Sequence, residues 1–179
     1  GDDTYESYVI LSDKSNDIAI LKLRDFPPRH NLKGIPISTK SQKIGKDVFT
    51  IGYPMSSIMG KNPKITNGII SSLSGISDDP RIIQTTVPIQ RGNSGGPLLN
   101  MDGESIGITT SSLKTFIKNG DINVPQNVNY AVKSAYVKAL ISSLPEKKFE
   151  MHDVSNASLE SIADRLKNSI VQIIVKTRS

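Results

Sequence analysis

The residues best suited to chemistry form the run Gly92-Asn93-Ser94-Gly95-Gly96-Pro97. A serine hydroxyl is a poor nucleophile until a base takes its proton. Attack on a carbonyl also needs backbone N–H donors aimed at the developing oxyanion. Glycines around the serine let the main chain turn tightly and present those donors with no Cβ in the way. Asn93 tolerates an unusual backbone angle better than most residues. The run therefore predicts a nucleophile at Ser94. A base is harder to find, because the chain has only two histidines, His30 and His152. His30 follows Pro27-Pro28-Arg29 and His152 stands in a polar stretch, and both read as ordinary surface histidines.

The elements around the run decide which kind of turn carries the serine. The pattern G-x-S-x-G also marks nucleophile elbows at strand-to-helix turns, and Ser94, Asp121 and His152 follow that chain order. Two glycines and a proline make a poor first helical turn, however, and no parallel βαβ pattern surrounds them. Short runs with turn punctuation predict strands instead, near 7–11, 17–23, 47–52, 65–74, 82–86, 97–100, 105–111 and 128–132. Residues 25–40 hold Pro27, Pro28 and Pro36 and read as a connector. Ser134 is expected to cap a helix whose Val137, Leu140, Ile141 and Leu144 share a face, ended by Pro145. Ser158 opens a second helical pattern through Leu159, Ile162, Ala163, Leu166 and Ile170, and residues 170–175 (IVQIIV) then read as a strand. The expected fold class is all-β, a barrel or sandwich with helices at its end.

Composition narrows the function classes. The chain has 179 residues with 22 basic and 17 acidic side chains, a net charge of +5. The bases are scattered, Lys147-Lys148 being the only adjacent pair, so nucleic acid is not an expected partner. Zero cysteines exclude a disulfide scaffold, a thiolate metal site and a cysteine nucleophile. No apolar run is long enough for a membrane-spanning helix, and the start has no signal-peptide pattern. No metal or organic cofactor is expected.

Arg91 through Asn100 (RGNSGGPLLN) resembles the nucleophile segment of trypsin-like serine proteases, most closely the bacterial HtrA/Deg branch. Asn16 to Lys22 (NDIAILK) is similar to the family's aspartate segment, with Asp17 lying 77 residues before Ser94. Gly52-Tyr53-Pro54, Ile106-Gly107-Ile108-Thr109 and Asn129-Tyr130-Ala131-Val132 resemble further family segments, in order, over residues 7–144.

The resemblance implies a chymotrypsin-like double β-barrel and serine endopeptidase activity. Ser94 would be the nucleophile and Asp17 the acid orienting a histidine. The N–H groups of the Gly92-Asn93-Ser94 turn would form the oxyanion hole. Thr110, Ser111 and Ser112 would pair with an extended peptide substrate. Pro88, Ile89, Arg91, Asn129 and Ala131 would line the substrate site. In trypsin an acid six residues before the nucleophile selects basic substrates, and Pro88 stands there, so small or medium apolar residues are expected at P1. The family's histidine precedes its aspartate, yet no histidine precedes Asp17, so the base is expected from outside this sequence. A catalytically inactive peptide-binding module is the alternative.

Residues 1–34 then read as a first-barrel remnant and connector, 35–148 as a complete second barrel with its helix, and 149–179 as a helix–strand tail. The tail resembles the opening of a protease domain. It fits the start of a second unit, a permuted strand that pairs with the first-barrel remnant, or an unrelated amphipathic tail. Strand exchange between two copies through the tail would follow from the pairing. An extracytoplasmic location is expected if the resemblance holds.

Overall fold

A computed structural model describes residues 4–25, 33–54, 60, 62–90, 92–110, 127–145, 151–152 and 157–175. Two strands, β1 (Ser7–Asp13) and β2 (Ile18–Leu23), form an antiparallel hairpin. Asp13 builds its turn. One carboxylate oxygen accepts from the Ser15 and Asn16 amides at 2.9 and 3.1 Å, and the other from Asn16 Nδ2 at 2.6 Å. The hairpin ladder shifts register between Val9 and Leu11, a bulge at Ile10.

Six further strands close an antiparallel barrel: β3 (Asp47–Gly52), β4 (Lys64–Ser72), β5 (Ile82–Thr85), β6 (Pro97–Asn100), β7 (Ser105–Thr110) and β8 (Asn129–Lys133). Their order around the barrel is β3-β4-β5-β8-β7-β6. Side chains alternate between two faces of each strand. Val48, Ile70, Ile83, Leu98, Ile106 and Ala131, one from each strand, fill the interior together with Val87. Thr50 is also wholly buried, and its hydroxyl donates to the Pro97 carbonyl at 2.8 Å.

The outward residues are covered on two sides. Ile82, Tyr130 and Val132, on β5 and β8, pack against Ile18 of the hairpin and against Tyr136. Tyr136 belongs to helix α1 (Ser134–Ser142). On the other side, Phe49, Ile51 and Leu99 of β3 and β6 pack against Ile162, Ala163 and Leu166 of helix α2 (Leu159–Leu166), and against Ile170. Tyr53, just past β3, donates its hydroxyl to the Ile170 carbonyl at 3.2 Å. The Ser158 hydroxyl caps α2 by accepting from the Ser161 amide.

Two local expectations are corrected. Ser134 is the first helical residue of α1, not its cap; Lys133 holds the capping position and makes no side-chain cap. The strand β8 runs directly into the helix, so Ser134 already has helical geometry and is buried. Residues 170–175 form no strand with the first-barrel remnant, and Val171, Ile173, Ile174 and Val175 are exposed. The reason is position. Helix α2 carries this segment to the β3/β6 side, whereas the hairpin is fixed to the β5/β8 side, with β4 and β7 between them. A β-branched run makes a strand only where a ladder partner lies within reach.

Candidate active site

The loop from β5 to β6 carries the expected nucleophile. Two turns shape it: the Asn93 amide donates to Gln90 at 2.9 Å and the Gly96 amide to Asn93 at 3.0 Å. Gly92 and Gly95 have φ of +102° and +85°, values that only glycine adopts without strain. Asn93 is 1% exposed, while Ser94 next to it faces solvent. The loop therefore folds one side chain inward and presents the next outward.

Thr109 of β7 pins the loop to the barrel. Its amide donates to the Gly96 carbonyl and its carbonyl accepts from the Gly95 amide, both at 2.8 Å. Its buried hydroxyl lies 2.5 Å from the Asn93 carbonyl and 3.1 Å from that of Gly96. On the far side, Thr109 pairs with Ala131 of β8, and Thr110 pairs with Tyr130. The Ser94 loop, Thr110, Asn129 and Ala131 are thus carried by adjoining segments. Ala131 is wholly buried in the barrel interior, and Asn129 is half-buried opposite Thr85. Pro88 is exposed, and its carbonyl accepts from the Thr66 hydroxyl at 3.2 Å. Ile89 packs against the interior cluster. Arg91, Ser111, Ser112, Asp121 and His30 lie outside the described residues.

Asp17 sits on the hairpin turn, exposed, with φ +54°. Its turn reaches the barrel through Arg81, which donates from Nη1 to the Ser15 carbonyl at 2.7 Å. Asp79 holds that guanidinium from both carboxylate oxygens, at 2.7 to 3.1 Å. The bonded Arg81 guanidinium keeps the Asp79 carboxyl below the usual carboxylate range. Asp13 is held low chiefly by its Asn16 hydrogen bond, with Arg81 adding a smaller attraction.

His152 belongs to another place. Its amide donates to the Gly34 carbonyl at 2.9 Å, and its Nε2 lies 2.7 Å from the Ser169 hydroxyl. That hydroxyl donates its single proton to the Lys33 carbonyl at 2.8 Å, so Nε2 is the donor to Ser169. Burial, then the nearby Lys33 and Arg165, hold the imidazole below its usual range. His152 therefore fastens the tail to the connector.

Three roles are not legible in the sequence: the loop-pinning of Thr109 and the hairpin contacts of Asp79 and Arg81. A hydroxyl directly after the apolar run Ile106–Ile108 was the available signal for Thr109. Asp79 and Arg81 flank Pro80 in what reads only as a turn. Among the described residues, no group of three His, Asp or Glu side chains is placed to hold a metal ion, and no helix is long and apolar enough to cross a membrane.

The chain is similar to known proteins. A family model described as a trypsin-like peptidase domain matches residues 1–108. The periplasmic serine endoprotease DegP of Salmonella typhimurium is 33% identical over 147 residues, covering 79% of this chain and 28% of the relative. The serine endoprotease DegS of Escherichia coli is 35% identical over 133 residues, 72% of this chain and 35% of the relative. The chain thus spans about a third or less of the length of these relatives. The crystal structure of a serine endoprotease from Yersinia pestis superposes with a TM-score of 0.59 at 31% identity, covering 78% of this chain and 44% of that one. With more than half of its residues matched by the family model, and with relatives at 33–35% identity over more than two thirds of its length, this chain belongs to the trypsin-like peptidase family, in its HtrA/Deg-type branch.

Proposed function

We propose that the chain is the nucleophile-bearing part of a serine endopeptidase, and that its general base is a histidine supplied from outside the 179 residues. The observation that carries this reading is the loop itself. It exposes Ser94 at the surface while Thr109 and the buried Asn93 hold its neighbours.

Ser94 Oγ attacks the peptide carbonyl carbon as the histidine takes its proton. Amide donors of Gly92 and Ser94 receive the oxyanion, and Asp17 steadies the imidazolium. The C–N bond then breaks, the departing amine takes the proton, and water releases the acyl group from Ser94. Backbone at Thr110, Ser111 and Ser112 pairs with the extended substrate. Pro88, Ile89, Arg91 and Asn129, with the backbone of the buried Ala131, border a pocket that has no carboxylate among these residues, which suits a small or medium apolar P1 side chain.

The three-part division at residues 34/35 and 148/149 belongs to the same proposal. Helix α2 and the exposed run from Val171 to Val175 fit the opening helix and strand of a further protease unit, and that run is also where a second copy would exchange a strand. The periplasmic naming of the relative DegP supports an extracytoplasmic location.

Casein hydrolysis tests the activity. The 179-residue chain alone is expected to show no appreciable turnover. The full-length protein that supplies the histidine is expected to hydrolyse casein and to lose that activity in Ser94→Ala. Turnover by the short chain that disappears in Ser94→Ala would instead make His30 or His152 the base. A full-length protein that binds peptides without cutting them would be the inactive binding module.

A further inference from the structure

The hairpin that carries Asp17 is a two-stranded unit, and such a pair is marginal by itself. Among the described residues, its position relative to Ser94 comes from its attachments to the six-stranded barrel and helix α1. One attachment is apolar, through Ile18 on Ile82, Tyr130 and Val132. Apolar contacts resist separation but are not directional. A second attachment is directional. Arg81, immediately before β5, donates to the Ser15 carbonyl two residues before Asp17. Its guanidinium is fixed in turn by three bonds to the Asp79 carboxylate, a geometry that planar arginine accepts and lysine does not. The Asp79 side chain is 17% exposed and that of Arg81 34%, so the pair is partly withdrawn from solvent. The turn it grips is already stiff, because Asp13 binds the Ser15 and Asn16 amides and the Asn16 side chain. A pull on Ser15 is therefore passed to Asp17 as movement of one rigid turn.

We propose that Asp79 and Arg81 are positioning residues for Asp17: a clamp from the serine-bearing barrel onto the aspartate-bearing turn, which sets where the Asp17 carboxylate meets the catalytic histidine. This rests on the proposed triad. Neither side chain touches substrate or the reacting atoms in that triad. They act through Ser15.

The test uses the full-length protein with its histidine, in the variants Arg81→Gln, Arg81→Lys, Asp79→Asn and Ser94→Ala. Displacement of the carboxylate by about an ångström lowers kcat by about 10–100-fold. KM stays near that of the parent, since the substrate strand and pocket lie elsewhere. A histidine with a poorly placed carboxylate is also less basic, because the imidazolium loses its counter-charge. The acid limb of the kcat/KM profile therefore moves to lower pH in Arg81→Gln. Arg81→Lys keeps the charge but not the fork and falls between the two, as does Asp79→Asn. In the 179-residue chain, amides of Ile18–Leu23 should exchange faster in Arg81→Gln while those of β3 and β6 keep their protection.

Parent-like kcat and an unmoved acid limb in Arg81→Gln, with Ser94→Ala inactive, would overturn the clamp and leave the triad standing. So would a loss of kcat that tracks the fraction of folded protein in all three clamp variants, with the acid limb in place. Activity that survives Ser94→Ala would overturn the triad itself, and the clamp with it.

Discussion

Gly52 and the side chain of Asn93 meet so closely that a β-carbon at Gly52 would lie 2.5 Å from Asn93 Oδ1 and 3.2 Å from its Cα. The end of β3 is thus moulded around the buried residue that precedes Ser94. Asn93 Oδ1 is buried and has no hydrogen-bond partner among the described residues, so packing holds it.

Gly52→Ala should therefore lower stability by about 1–3 kcal/mol through overpacking. The loss should be partly relieved when Asn93→Ala is added, because the offending atom is gone. Thermal melts of both single variants and the double variant read the coupling. Strict additivity would contradict the contact.

Thr109→Val should remove the hydroxyl donor to Asn93 while keeping side-chain shape. The expected cost is about 1 kcal/mol, since the Asn93 carbonyl retains the Gly96 amide. In the full-length protein, kcat should fall more than KM rises, because the loop that presents Ser94 loosens. Unchanged kinetics with a lowered midpoint would confine Thr109 to a structural role.

Leu166 is wholly buried between α2 and the barrel. Leu166→Ala should cost about 2–5 kcal/mol, the range for such cavities. A chain ended at Lys148 should lose solubility, because Phe49, Ile51 and Leu99 lose their α2 cover. Unchanged solubility and midpoint in the truncated chain would show that α2 adds nothing to the fold.

The sequence reading succeeded where structure is local. The apolar run of β3 lies between the turn at Gly45 and the Gly52-Tyr53-Pro54 break, and β6 lies between Gly95-Gly96 and Asp102-Gly103, so turn chemistry alone delimits them. The tight turn around Ser94 was legible because its glycines are contiguous with it. Long-range partners were not. Arg81 meets Ser15 across 66 positions and Tyr53 meets Ile170 across 117, and neither pair leaves a periodic trace. The tail failed for the same reason. Its apolar run has the composition of a strand, but composition does not say which side of the barrel α2 will occupy.

Acid should loosen the tail. The folded pKa of His152 lies below its ordinary value of 6.5, through burial and then Lys33 and Arg165. As pH falls, the unfolded chain takes the proton first. The stability His152 contributes is therefore present above about pH 6.5 and is lost as pH falls through the lowered folded value. Protection factors of the α2 amides, which divide out the intrinsic slowing of exchange in acid, should fall between pH 7 and pH 5, and His152→Gln should flatten that dependence. Equal pH dependence in His152→Gln would assign it to other groups.

The central claim is that Ser94 is an activated nucleophile only when a histidine from outside these residues is present. Fluorophosphonate labelling located by mass spectrometry tests it directly, since the probe reacts with an activated serine hydroxyl. A single adduct is expected on Ser94 in the full-length protein, none in its Ser94→Ala variant and none in the 179-residue chain. An adduct on another serine, no adduct in the full-length protein, or equal labelling of Ser94 in the short chain would contradict it.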